Sequence, residues 1–108
     1  MTERQKNYIA KSYYHDYQNI ENTLSDIAKA AEDHNIDLVL WFASKLKSAK
    51  AEFDGKFAML SEFRHGVKVD SDGEAVLIDF SELSGDEKIE TVAEFLDNKI
   101  VIERGESE

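Results

Sequence analysis

The sequence predicts an α+β fold in which a long antiparallel helical hairpin precedes a β-hairpin, a short helix and a third strand. The predicted order is α-α-β-β-α-β, with a small three-stranded sheet. Three observations predict it: apolar residues recur at steps of three and four through most of residues 1–65, the apolar period changes to two after Gly66, and a helix-start signal follows at Ser84. The chain has no proline, so nothing in it forces a helix to kink.

The first helix is predicted over residues 3–33. Thr2 and Gln5 have the spacing of a capping box, in which each side chain binds the other residue's backbone amide. His34 and Asn35 are the expected stop, with Asn35 tolerating the left-handed conformation. The apolar residues at steps of three and four form one narrow stripe, which is typical of a helix–helix seam. This stripe consists of Ile9, Tyr13, Tyr17, Ile20, Leu24, Ile27 and Ala31.

A second helix follows after only two or three residues, which forces the pair to be antiparallel. It is expected to run through Gly55 without a break and to end at Arg64 and His65, with Gly66 just beyond the last turn. Its seam stripe consists of Val39, Phe42, Leu46, Ala49, Phe53, Phe57 and Leu60.

The second helix has more apolar surface than one seam needs. Leu38, Trp41, Met59 and Phe63 lie on a flank turned about 100° from the centre of the stripe. We expect the C-terminal segment to cover this flank as part of the core. The alternative is that another chain covers it, as in a homodimer formed through Trp41, Met59 and Phe63.

After the hairpin, strands are predicted over residues 67–70, 75–80 and 99–103. Asp72 and Gly73 indicate a tight turn between the first two strands. A capping box at residues 84–87 opens a helix of about residues 86–97. The face that this helix is expected to bury contains Ile89, Val92, Ala93 and Leu96.

Residues 1–108 are best interpreted as one domain, since this length is close to the common domain size. The domain divides into a helical hairpin (1–65), an acidic ββαβ segment (66–103) and a polar tail (104–108) that we expect to be disordered.

Negative charge is concentrated in the C-terminal part. Residues 1–65 carry nine Lys and Arg against ten Asp and Glu, a net charge of −1, whereas residues 66–108 carry four against thirteen, a net charge of −9. Such a field attracts basic surfaces and repels nucleic acid and anionic membranes. There is no cysteine, which excludes disulfides, thiol nucleophiles and Cys-ligated metals. The polar N-terminus and the lack of a long apolar run predict a cytoplasmic protein without a signal peptide.

In the third helix, four of these acidic residues recur at helical spacing. Glu87, Glu90, Glu94 and Asp97 are spaced three, four and three residues apart, so they line one face of the helix. The acidic residues expected to extend the same field are Asp70, Asp72, Glu74, Asp79, Glu82 and Asp86. Tyr8 and Tyr14 are predicted to point outwards, as interface tyrosines do. Two interpretations stay open: an ordinary solvated face, or a docking surface for a basic partner that normally holds phosphates.

No motif indicates catalysis, a cofactor or a metal site. The Asp70-x-Asp72-Gly73 pattern resembles part of a calcium loop, but Lys68 stands at the first ligand position and Asp79 at the last. Glu62-x-x-His65 has di-iron spacing without the second pair that such sites need. We therefore expect no metal, no cofactor and no enzyme.

The favoured function is a small acidic protein–protein interaction module that inhibits a host protein by occluding its basic, nucleic-acid-binding surface. In composition the chain is similar to small inhibitors that phages and mobile elements encode, anti-CRISPR proteins among them. A regular array of carboxylates on a folded support can imitate the charged duplex backbone, so nucleic-acid mimicry is the expected mode of action. The alternative is a structural or assembly protein that dimerises through its hairpin, with the charge serving solubility.

Overall fold

The computed structural model describes residues 2–103, and it confirms the predicted α-α-β-β-α-β order. The predicted tail, residues 104–108, lies outside the described residues. The elements are α1 (Glu3–Glu32), α2 (Ile36–Glu62), β1 (His65–Val69), β2 (Ala75–Asp79), a 3-10 turn (Phe80–Glu82), α3 (Gly85–Asn98) and β3 (Val101–Ile102).

The start of α1 is the predicted capping box. The Gln5 N–H donates to Thr2 Oγ1 at 3.1 Å, and the Thr2 N–H donates to Gln5 Oε1 at 2.8 Å. At the other end His34, not Asn35, takes the left-handed conformation, with φ of 55°. Asn35 instead caps α2, since its Oδ1 accepts a hydrogen bond from the Leu38 N–H at 3.2 Å. The first N–H groups of a helix have no acceptor within the helix, and the Asn35 side chain supplies one at the start of α2. Asn35 is therefore the N-cap of α2 and does not provide the left-handed end of α1.

The helix α2 is continuous through Gly55, as predicted, but its end differs from the prediction. The helix stops at Glu62, Arg64 takes the left-handed conformation with φ of 62°, and Gly66 lies inside β1. A Cβ placed on Gly66 would lie 2.5 Å from Phe80 Cζ. Gly66 is therefore a position of close approach between the strand and an aromatic ring, and the prediction that it terminates α2 is wrong.

The sheet has the order β2-β1-β3. β1 and β2 are antiparallel with Val67 opposite Leu77, and β1 and β3 are parallel with Lys68 opposite Val101. The predicted Asp-Gly turn is present. Gly73 has φ of 84°, and its N–H donates to the Asp70 carbonyl at 2.9 Å.

Phe95 on α3 is the centre of the core and is fully buried. Its ring centroid lies 6.0 Å from that of Tyr13 on α1, 5.2 Å from that of Phe57 on α2, and 5.8 Å from that of Phe80. A single side chain thus joins the hairpin to the sheet segment. Tyr13 adds a second connection, since its hydroxyl donates to the Lys99 carbonyl at 2.5 Å.

The orientation of α3 corrects the prediction for its buried face. Val92 packs against the core, but Ile89 is 69% exposed, Leu96 is 52% exposed and Ala93 is also exposed. The helix is rotated about its axis so that the large aromatic ring of Phe95 fills the space beside Gly66. The predicted capping box is wrong as well, since Ser84 makes no side-chain capping hydrogen bond.

The C-terminal segment packs only on the base of the hairpin. Among residues 24–52 Ala30 alone is buried, so this distal part is an arm of two helices without a further layer. The expectation that the C-terminal segment covers the apolar flank of α2 is wrong. Each side chain of this flank is largely exposed: Leu38 (42%), Trp41 (56%), Met59 (55%) and Phe63 (64%).

Candidate partner-binding surface

Three carboxylates of the predicted acidic row extend from α3 into solvent. Glu87, Glu90 and Asp97 are exposed, and no ion pair within residues 2–103 involves them. Glu94 is half-buried, and its Oε2 accepts a hydrogen bond from the Ile102 N–H at 3.1 Å. This hydrogen bond caps an amide of β3 next to the described end of the chain. Glu94 therefore has a structural partner, and the free part of the row has three members.

The acidic residues of the β-hairpin also fall into two groups: one has hydrogen-bond partners in the fold, and the others are exposed. Asp70 Oδ1 accepts hydrogen bonds from the Asp72 N–H at 3.0 Å and from the Glu74 N–H at 2.9 Å. Asp70 thus shapes the turn, as an aspartate in an Asx turn does. Asp72 and Glu74 are exposed at the tip of the turn and make no ion pair among the residues that the structure describes.

Asp79 also belongs to the local structure. Its Oδ1 accepts hydrogen bonds from the Ser81 hydroxyl at 2.6 Å and from the Ser81 N–H at 3.0 Å, which caps the 3-10 turn. These hydrogen bonds favour the carboxylate and lower the pKa of Asp79. Its contribution to stability is therefore present above its unfolded-state pKa and is lost as the pH falls through the lowered value.

Seven of the ten predicted acidic residues remain as exposed carboxylates without an ion pair inside residues 2–103. These are Asp72, Glu74, Glu82, Asp86, Glu87, Glu90 and Asp97. Two nearby cations pair with other carboxylates. Lys99 Nζ lies 3.2 Å from Asp54 Oδ1, and Lys68 Nζ lies 3.5 Å from Glu103 Oε2. The hairpin does not neutralise these carboxylates, so their field extends into solvent.

The two predicted interface tyrosines differ from each other. Tyr8 is 74% exposed, in agreement with the prediction. Tyr14 is half-buried, packs against the core and stacks on Tyr17 with ring centroids 6.3 Å apart. The prediction for Tyr14 is wrong, because the ring of its neighbour one turn along α1 covers one of its faces.

Tyr8 lines an apolar groove of about 390 Å³ at the base of the hairpin. The groove lies between α1 and α2, and Met59, Phe63 and Leu77 form much of its wall. Lys56 and His65 are the ionisable groups besides tyrosine among its lining residues, which include no carboxylate. The sequence placed Met59 and Phe63 on an apolar flank, but the groove also needs α1 and β2, which only the tertiary contacts bring there.

Trp41 lies in a different place. It precedes Met59 by eighteen residues, or about 27 Å along a helix, and lines a separate, more polar depression of about 380 Å³. The predicted patch of Trp41, Met59 and Phe63 is therefore two patches on one helix, not one.

A third exposed apolar area was not predicted from the sequence. Ile89 and Leu96 are exposed on α3, on the flank opposite the acidic row. The signal that could have shown it was Gly66 within a β-rich run, since a glycine in a strand indicates close approach by another group. The approaching groups are the rings of Phe80 and Phe95, and once Phe95 points inwards Ile89 and Leu96 must lie outside.

Among the described residues no three His, Asp or Glu side chains are grouped as metal ligands, and no helix is long and apolar enough to cross a membrane. No protein family, no curated protein and no solved structure matches this chain.

Proposed function

We propose that this chain is a protein–protein interaction module whose acidic ββαβ segment docks on a basic surface of another protein. The observation that carries the proposal is the set of seven exposed carboxylates that have no ion pair inside residues 2–103. Unpaired charges of one sign on a folded support give long-range attraction to a cationic partner and fast association.

A surface that binds phosphates is the cationic partner that these carboxylates fit best. Glu87 and Glu90 are three residues apart on one side of α3, a spacing at which neighbours lie about 5–6 Å apart, and Asp97 lies on the same side about 10 Å further along the helix. Regular anions on a rigid element resemble a nucleic-acid backbone. We infer an inhibitor that occludes a nucleic-acid-binding site, in line with the compositional resemblance to phage and mobile-element inhibitors. A cytoplasmic location is part of this proposal.

The test compares two triple variants that change the net charge equally. Glu87→Lys, Glu90→Lys and Asp97→Lys together reverse the free row of α3, whereas Glu21→Lys, Asp26→Lys and Glu32→Lys reverse three exposed carboxylates on α1. Glu94 stays unchanged, because it caps the Ile102 N–H. Basic proteins are captured from the source cell on the immobilised chain at 50 mM NaCl, then eluted with salt or with duplex DNA.

We expect the wild-type chain and the α1 variant to retain the same proteins, and the α3 variant to lose them. Elution by 500 mM NaCl and by the duplex is expected, since charge attraction is screened within a few Å at that salt and the duplex competes for the same surface. Retention that resists salt, or an equal loss in both variants, would rule out docking through the acidic row.

An assembly role through the hairpin is the second candidate. It is favoured by Trp41, Met59 and Phe63, whose residues are each more than half exposed.

A further inference from the structure

A depression of about 340 Å³ lies where the end of α2, the 3-10 turn and α3 meet. We call it the α2–α3 depression. It shares no lining residue with the apolar groove that Tyr8 lines. Its volume is near the lower end of the range of about 300–1,000 Å³ that is usual for small-molecule sites. The residues that form its walls include Ser61, Arg64, Phe80, Lys88, Val92 and Leu96.

Backbone hydrogen bonds hold two walls of the depression together. The Arg64 N–H donates to the Ser61 carbonyl at 3.0 Å, and the Phe80 N–H donates to the Arg64 carbonyl at 2.9 Å. The remaining wall is one side of α3, since residues at steps of four lie on the same side of a helix. Its members are Lys88, Val92 and Leu96. These contacts belong to the fold, so the depression is preformed.

The lining of the depression includes two cations and no carboxylate. Arg64 and Lys88 are exposed, and neither makes an ion pair within residues 2–103. Lys88 also has no acidic residue three or four positions away along α3, where a helical ion pair would form. The depression is therefore a locally cationic place beside the acidic ββαβ segment, and its charge complements that of an anion.

Ser61 supplies a second, independent observation that points to a ligand. Its hydroxyl oxygen is buried and has no hydrogen-bond partner among the residues that the structure describes. Buried hydroxyl groups nearly always have a partner, because burial without one is unfavourable. A carboxylate bound between Arg64 and Lys88 would accept a hydrogen bond from this hydroxyl.

The apolar part of the depression favours an organic anion over an inorganic one. Leu96 is 52% exposed, and Val92 and Phe80 line the depression together with the two cations. An aliphatic or aromatic group packed on Val92 and Leu96 would remove their side chains from water. The net charge of −10 favours a singly charged ligand, since a phosphate with about two charges is repelled more strongly.

We propose that the α2–α3 depression binds a small carboxylic acid with an aliphatic or aromatic group. Arg64 and Lys88 hold the carboxylate, the Ser61 hydroxyl donates a hydrogen bond to it, and the apolar group packs on α3. This site does not depend on docking through the acidic row, and either proposal can fail without the other.

The first experiment titrates hexanoate into the isotope-labelled full chain at pH 7 and constant ionic strength, up to 20 mM, and follows the backbone amides by NMR. We expect saturable shifts confined to residues 61–64, 80–81 and 88–96. Acetate has the carboxylate alone and hexan-1-ol the apolar chain alone, so each is expected to bind at least tenfold more weakly. The absence of saturable shifts, or equal binding of either reference compound, would overturn the proposal.

The second experiment repeats the hexanoate titration with charge variants. Arg64→Gln and Lys88→Gln together are expected to weaken binding at least tenfold. Lys47→Gln and Lys50→Gln together are the matched control, because they change the net charge equally and lie more than about 15 Å from Ser61 along α2. The amide spectra verify that both variants stay folded. An equal loss of affinity in the two double variants contradicts the site.

Ser61→Ala separates a role in binding from a role in the fold. It is expected to bind hexanoate at least threefold more weakly, while Tm stays the same or rises, because the free chain loses only an unpaired hydroxyl. Unchanged affinity, or a weaker affinity that is accompanied by a lower Tm, would show that this hydroxyl does not contact the ligand.

Discussion

At the scale of single residues, Tyr13 joins the two halves of the molecule. Its ring packs 4.6 Å from that of Phe53 across the hairpin seam, and its hydroxyl donates to the Lys99 carbonyl after α3. Burial raises the pKa of Tyr13 above the ordinary value of tyrosine, and the nearby Asp54 carboxylate raises it further. The folded chain therefore requires the neutral phenol.

Tyr13→Phe is expected to lower the free energy of unfolding by about 1–2 kcal/mol, because one hydrogen bond is lost and the Lys99 carbonyl is left without its donor. Since the folded-state pKa is raised, the contribution of the Tyr13 hydroxyl is fully present below about pH 10 and is lost as the pH rises further. Urea titrations at pH 7 and at pH 10.5 measure both effects. Tyr14→Phe is the control. Burial also raises the pKa of Tyr17, so part of the alkaline loss of stability remains in Tyr13→Phe, and a loss as large as that of the wild type would contradict the role of Tyr13.

The fold requires glycine at position 66, because a side chain there would meet the core. Gly66→Ala would place a Cβ 2.5 Å from Phe80 Cζ and 3.2 Å from Phe95 Cγ. We expect a loss of about 1–3 kcal/mol, the usual effect of overpacking a core. Gly55→Ala is the matched control. Its Cβ meets nothing within 4 Å, and alanine is favoured over glycine within a helix by about 1 kcal/mol. Chemical denaturation of both variants should show shifts of opposite sign.

At the scale of elements, α3 buries a different face from the one that its apolar periodicity predicts. Its apolar residues Ile89, Val92, Ala93, Phe95 and Leu96 span a broad arc, so periodicity alone allows several buried faces. The choice is made by the space beside Gly66, which accepts the ring of Phe95. The acidic row keeps a solvent-exposed side in either orientation, which is why the sequence could predict the row but not the exposure of Ile89 and Leu96.

This orientation predicts a large difference between two substitutions on the same helix. Phe95→Ala should lower the free energy of unfolding by about 3–5 kcal/mol, since it leaves a cavity where three elements meet. Ile89→Ala should change it by less than about 0.5 kcal/mol, because Ile89 is mostly solvated. Thermal denaturation of the two variants measures both. A larger effect for Ile89→Ala would mean that α3 is rotated to the face that periodicity favoured.

At the scale of the whole molecule, the charge asymmetry acts on stability as well as on recognition. The segment from residue 66 onwards carries a net charge of −9, and its unpaired carboxylates repel one another. Glu90 has Asp86, Glu87 and Glu94 as neighbours three or four residues away, which is unfavourable on a helix surface. Salt should therefore stabilise the chain while it weakens the proposed partner complex.

Glu90→Gln is expected to raise Tm by about 2–5 °C at low salt, because each like-charge neighbour costs about 0.2–0.5 kcal/mol. The difference from wild type should shrink in 0.5 M NaCl, where the repulsion is screened. Glu21→Gln is the control, since Glu21 has no acidic residue three or four positions away. Differential scanning calorimetry at both salt concentrations measures the effect. An unchanged Tm for Glu90→Gln would show that the row is not under electrostatic strain.

The sequence by itself determined the order of elements, the antiparallel hairpin, the Thr2 capping box, the Asp-Gly turn and the polarity of charge. Each of these follows from local periodicity or from interactions within about four residues. At that range, a given spacing of residues corresponds to one local structure. The tertiary structure alone decided which side of α3 is buried, why Gly66 is glycine, and that Glu94 binds the Ile102 amide. Those outcomes depend on groups brought together from distant positions, such as Phe95 with Gly66 and Tyr13 with Lys99, and their contacts have no local pattern.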